Sequence, residues 1–133
     1  MARLHTISGK ILLESRASTS RYAPAALGHH AWYNGGSQSY PDAYRRSECP
    51  ARRMVDVISL VDWMETRVNS AHMYRLEEKP FDQVVREAVQ LGGTRFSPRL
   101  TDLLRDEKTA KRLQAALEAA TENAYRKMYE DAM

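Results

Sequence analysis

The chain has 133 residues, 43% hydrophobic and 28% charged, with 20 basic against 17 acidic side chains and a net charge of +3. That balance supports one domain with a real core, gives no electrostatic case for nucleic acid, and suits an anionic small ligand. The single cysteine, Cys49, excludes an intrachain disulfide framework. No apolar run approaches the roughly 20 residues of a membrane span, and the start, Met-Ala-Arg-Leu-His-Thr, lacks the layout of a signal peptide. A soluble, cytoplasmic chain is therefore expected.

Taken in order, residues 4–17 read as a helix, with Leu4, Ile7, Ile11 and Leu12 at helical spacing and Gly9 as its weak point. Ser18-Thr19-Ser20 is a capping cluster. A second helix begins near Ser20, carries Tyr22, Ala25, Ala26 and Leu27, and holds Pro24 in its first turn. It delivers the doublet His29-His30 where the helix runs into a loop. Successive residues of a helix are turned about 100° apart, so the two imidazoles cannot lie side by side on one helix face but can point to two sides of one pocket or to two metal ions.

Residues 33–50 are rich in Gly, Ser and Pro and read as a long loop, a kind that is usually functional or disordered. A helix follows from about Pro50 to Arg67. Met54, Val57, Ile58, Val61 and Met64 are assigned to its apolar face, with Trp63 in helix packing. Asp56, Ser59 and Asp62 form a second stripe, which ordinarily means a solvated face and otherwise the edge of a polar site. Residues 68–79 are loop.

Pro80 then opens a helix with Phe81, Val84, Val85, Ala88 and Val89, which Gly92-Gly93 ends. Ser97-Pro98 caps and starts another, with Leu100, Leu103 and Leu104 inward. The last helix, about 107–130, is amphipathic through Leu113, Leu117, Ala120, Ala124 and Met128 and is suited to docking or to pairing with a second copy. Strand signals are nearly absent. The expected fold is all-α, with five to seven helices, residues 1–106 as the domain and 107–133 as an appended helix.

Several residues carry chemistry. His5, His29 and His30 are three of the four histidines, and imidazoles suit divalent metals completed by carboxylates and water. Trp32, Tyr33, Tyr40 and Tyr44 surround the loop. They pack it onto the body or stack on a base, and packing is the commoner use. Arg45-Arg46 and Arg52-Arg53 form a basic cluster near the same loop that could attract a phosphate, with solvated charge as its ordinary reading. Cys49 has no histidine partner in sequence and no support as a nucleophile.

The order of these motifs resembles the C-terminal part of an HD-GYP domain, a branch of the HD metal-dependent phosphohydrolases. His5-Thr6-Ile7-Ser8-Gly9-Lys10-Ile11-Leu12 resembles that family's helix-opening histidine pattern, and His29-His30 its doublet. Ser39-Tyr40-Pro41 stands for the Gly-Tyr-Pro signature. Ala51-Arg52-Arg53 leads to a Ser59…Asp62 version of Asp-x-x-Asp. Tyr74-Arg75 matches a Tyr-Arg pair, and Gly93-Thr94-Arg95-Phe96-Ser97-Pro98 matches the closing turn. The resemblance covers roughly residues 5–105 and implies that the helices form an HD-domain-like bundle.

It implies a cyclic di-GMP phosphodiesterase using divalent ions, iron or manganese, that activate a water and clamp phosphate oxygens. Under it, His5, His29 and His30 are metal ligands, Asp62 is catalytic, and Tyr40 and Arg75 contact the cyclic dinucleotide. The chain departs from the pattern at Ser59, where the family has a ligand carboxylate that Asp56 would have to replace, at Ala31 for a glutamate, and at Ser39 for the signature glycine. The namesake His-Asp pair has no counterpart. Weak or absent catalysis by this chain alone is expected on that account, as is the alternative of a non-catalytic signalling or interaction module that pairs with a second copy or a partner chain.

Overall fold

The computed structural model describes residues 23–36, 46, 49, 51–68 and 79–133, without side chains at 120, 121, 123–125 and 128. The expected helix over 4–17, its His5, and Tyr22, Tyr40, Tyr44, Arg45, Tyr74 and Arg75 lie outside the described residues, as do the side chains of Ala120, Ala124 and Met128. Within them the chain is all-α: α1 (Ala23–Gly28), α2 (Arg52–Val68), α3 (Phe81–Gln90), α4 (Pro98–Leu103) and α5 (Glu107–Ala132). An isolated bridge between Gly92 and Phe96 is the sole β-type pairing among these residues.

The helices start and stop where local chemistry directs. Pro24 sits in the first turn of α1, where its missing N–H costs nothing. Pro80 precedes α3 and Pro98 occupies the first turn of α4. Ser97 flanks α4 but its side chain makes no capping bond, so proline geometry rather than the hydroxyl starts that helix. Asp106 caps α5, its carboxylate accepting from the Thr109 N–H at 2.8 Å and the Thr109 hydroxyl at 2.7 Å. These bonds hold the Asp106 carboxyl below its usual range.

One core joins α2, α3, α4 and the start of α5. Leu60, Trp63, Met64, Val84, Ala88, Phe96 and Leu104 are buried in it, and Phe81, Val85, Val89, Leu100 and Leu113 pack against it. Trp63 and Phe96 meet edge to face, with centroids 5.3 Å apart. The Arg67 guanidinium lies 3.9 Å from the Trp63 ring centroid. Leu117 adds a buried contact further along α5.

Two expectations about packing are corrected. The buried face of α2 is Val55, Asp56, Ser59, Leu60, Trp63 and Met64, whereas Val57 is 46% exposed. The helix is rotated from the face that hydropathy selects because the polar pair Asp56 and Ser59 is drawn inward by a buried arginine. Leu103, expected inward, is 55% exposed, while Leu104, which caps the end of α4, is buried; neighbouring positions are turned about 100° apart, so the two do not share one face.

The turn between α3 and α4 is the hub of the fold. The Leu91 carbonyl accepts from the N–H groups of Thr94, Arg95 and Phe96, and the Gly93 N–H donates to the Phe96 carbonyl at 2.9 Å. Gly93 has φ +85°, a left-handed conformation that closes this turn without Cβ strain. At Gly92 the constraint is space, since a Cβ there would stand 2.3 Å from the Thr101 Oγ1. Thr101 is itself buried and bonded to the Pro98 carbonyl at 3.1 Å. Gly92→Ala is therefore expected to destabilise the domain by about 1–3 kcal/mol, as overpacked sites do, with urea denaturation as the check.

Candidate metal centre

The histidine doublet follows α1 directly, in a turn that the Ala31 N–H closes by donating to the Gly28 carbonyl at 3.0 Å. Its position at a helix end is as the sequence indicates. The geometry of the two rings is not. Beyond the last helical residue the 100° stagger no longer applies, and the imidazoles lie against each other with centroids 4.2 Å apart and planes tilted by 42°. The His29 Nδ1 is 2.7 Å from the Ala25 carbonyl oxygen. Only a protonated nitrogen can hydrogen-bond a carbonyl, so Nδ1 donates and Nε2 is the basic nitrogen of the neutral ring. This backbone contact is the kind that orients a metal-ligating imidazole.

The loop after the doublet is fixed from the far end of the sequence. The Tyr33 and Asn34 N–H groups donate to the Arg95 and Thr94 carbonyls, both at 3.0 Å, which stitches the loop to the α3–α4 turn. The Asn34 side chain accepts from the Gly36 N–H at 2.8 Å. Arg95 also lies 5.8 Å from the Trp32 ring centroid. Trp32 and Tyr33 are both half-buried; Trp32 packs toward the turn, and the Tyr33 ring lines a cleft beside Arg52.

Asp62 completes the cluster. His29, His30 and Asp62 each offer one ligand atom, and those atoms lie within 4.8 Å of one another, all on half-buried side chains. Among the described residues this is the one group of three potential metal ligands. Asp62, read from sequence as catalytic, thus stands beside the doublet as a potential ligand. Ser59 lies one turn earlier on α2 and is engaged elsewhere. Asp56 is not part of this group.

The engagement of Ser59 is the feature that sequence reasoning missed. Arg46, read as solvated charge, is 2% exposed. Its Nη1 donates to the Asp56 Oδ1 at 3.3 Å, and its Nη2 donates to the Ser59 Oγ at 3.0 Å, the Gly28 carbonyl at 3.5 Å and the Ala31 carbonyl. One guanidinium thus ties α2 to the backbone on both sides of the doublet. Arg52 stands 3.9 Å from the other Asp56 oxygen. Burial pushes the Asp56 carboxyl up from its ordinary value and the two arginines oppose this without cancelling it. The one sequence signal was a polar pair, Asp56 and Ser59, on a helix whose other inward positions are apolar. Cys49 is half-buried and its N–H donates to the Arg46 carbonyl at 3.2 Å, with no nucleophilic partner beside it among the described residues. No helix among the described residues is long and apolar enough to cross a membrane.

The donor set fits a divalent first-row ion: two imidazoles, one with its tautomer fixed, and one carboxylate, with the remaining positions open to water. Comparison with known proteins returned no matching family model, no matching curated protein and no matching solved structure.

Proposed function

We propose that this chain is a metal-binding domain of the HD-GYP type whose substrate is a cyclic dinucleotide such as cyclic di-GMP. One observation supports this above the others: the doublet and Asp62, 32 residues apart in sequence, converge within 4.8 Å. His29, His30 and Asp62 would hold iron, manganese or a similar ion. When bound, such an ion supplies Lewis-acid charge to a phosphate oxygen and lowers the pKa of water. The chain's own residues do the rest. Ala25 holds the His29 tautomer, Arg46 fixes the doublet's backbone, and Asp62 balances part of the ionic charge.

A second reading, a non-catalytic module on the same scaffold, is favoured by the size of the cluster: three ligands suit one ion, whereas in-line phosphodiester cleavage is commonly clamped by two.

Elemental analysis of the reconstituted protein is expected to give close to one ion per chain, reduced at least about tenfold in affinity by Asp62→Ala and by the double variant His29→Ala, His30→Ala. No retained metal in the native chain would overturn the metal reading. Bound metal with hydrolysis of cyclic di-GMP supports the enzyme, and bound metal without hydrolysis supports the module.

A further inference from the structure

On another side of α2 from the doublet lies a cleft of about 590 Å³, between the first turns of α2 and the short α4. Its size is that of ordinary small-molecule sites. Val57 and Asp62 are five residues apart on one helix, so they are separated by about 140° around the axis and about 7.5 Å along it. The cleft is therefore distinct from the doublet cluster.

Its chemistry has two halves. Arg52 and Arg53 of α2 and Arg99 of α4 bring three guanidinium groups to its walls. Neither Arg53 nor Arg99 has a carboxylate partner among the described residues. Asp56, the single acidic residue of the lining, is already bonded to the buried Arg46. Its charge is thereby balanced from behind, and the cleft keeps a positive excess. The other half is apolar. Val57 of α2 and Leu103 of α4, both in the lining, are 46% and 55% exposed. They are two of four large exposed hydrophobic residues among the described ones, the others being Tyr129 and Met133 at the end of α5. Tyr33 adds an aromatic ring, with the Arg52 guanidinium 5.0 Å from its centroid. Exposed apolar side chains beside guanidinium groups from two elements fit one molecule that is anionic at one end and flat and apolar at the other.

We propose that this cleft is a ligand site for a small phosphate-bearing molecule with an aromatic body, of nucleoside monophosphate size. Arg53 and Arg99 take the phosphate, and Val57, Leu103 and Tyr33 take the ring. This site needs no metal and stands whether or not the doublet holds one.

The test is calorimetric titration of the full chain, stripped of metal with EDTA, using AMP and GMP as probes and adenosine and inorganic phosphate as their halves. Saturable binding of at least one nucleotide is expected, tighter than either half and weakened by added salt. The double variant Arg53→Gln, Arg99→Gln should weaken it at least tenfold, as should Leu103→Asp through repulsion of the phosphate and loss of the apolar wall. Exposed positions carry these changes, and unchanged helical circular dichroism confirms folding. The double variant His29→Ala, His30→Ala should bind as the native chain does. Absence of saturable nucleotide binding, equal affinity in the folded arginine variant, or loss of binding in the doublet variant would each overturn the proposal. Phosphate binding as tight as nucleotide would overturn the assignment of the ring.

Discussion

Replacing Arg46 by alanine is expected to cost about 3 kcal/mol of unfolding free energy, near the low end of what breaking a buried pair costs. The low end applies because Arg52 remains 3.9 Å from the Asp56 carboxylate. The loss has three parts: a buried carboxylate without its closest counter-charge, a Ser59 hydroxyl without its donor, and carbonyls at Gly28 and Ala31 stripped of theirs. The sign of the pH dependence separates the first part from the others. Asp56 is already raised above its ordinary value of 3.8, and it rises further without Arg46. Between the unfolded and folded values the folded variant holds a proton that the unfolded chain has released. Its stability therefore falls as pH rises through that window and is regained as pH drops. The deficit of Arg46→Ala relative to the native chain should be smaller at pH ~4 than at pH ~7. Urea denaturation at the two values checks this, and an equal deficit at both would mean that Asp56 is not the group left stranded. Under the proposed metal site, the same variant should hold the ion about tenfold more weakly, because it frees the backbone on either side of the doublet.

Phe96→Ala should be at least as damaging, about 3–5 kcal/mol, the range for emptying a buried aromatic site. Phe96 is fully buried and is the largest such side chain among the described residues. It packs edge-on against Trp63, and its backbone belongs to the turn that anchors the Tyr33–Asn34 loop. Phe96→Leu keeps most of the volume and should cost less than about 1.5 kcal/mol. The pair of variants therefore separates the ring's volume from its edge-to-face geometry. Similar losses in both would show that the contact with Trp63, rather than the filled space, carries the energy. Metal affinity should fall in the alanine variant if the α3–α4 turn holds the doublet loop through Arg95 and Thr94.

The helices were legible wherever their determinants were local. Val84, Val85 and Ala88 lie at helical spacing between Pro80 and the Gly92-Gly93 stop, and α3 spans Phe81–Gln90. Pro98 starts α4 by its fixed φ, and the amphipathic run from 107 becomes α5, whose cap Asp106 the structure adds. The doublet's place at the end of α1 follows from the apolar run that precedes it, and the sequence by itself also determined that the chain is helical and that imidazoles gather at one loop.

Only the tertiary structure decided what those imidazoles meet. A side chain's burial depends on what comes to lie against it, and for Arg46 that is a helix starting six residues later and carbonyls 15 and 18 residues earlier. No periodicity encodes such a meeting. The same holds for Asp62, which a motif alignment pairs with Ser59 along one helix but which packing brings to His29 and His30. The rotation of α2 follows from the same cause. Hydropathy alone selects Val57 for the core, yet desolvating Asp56 and Ser59 around one guanidinium satisfies their bonding and turns Val57 out to the cleft.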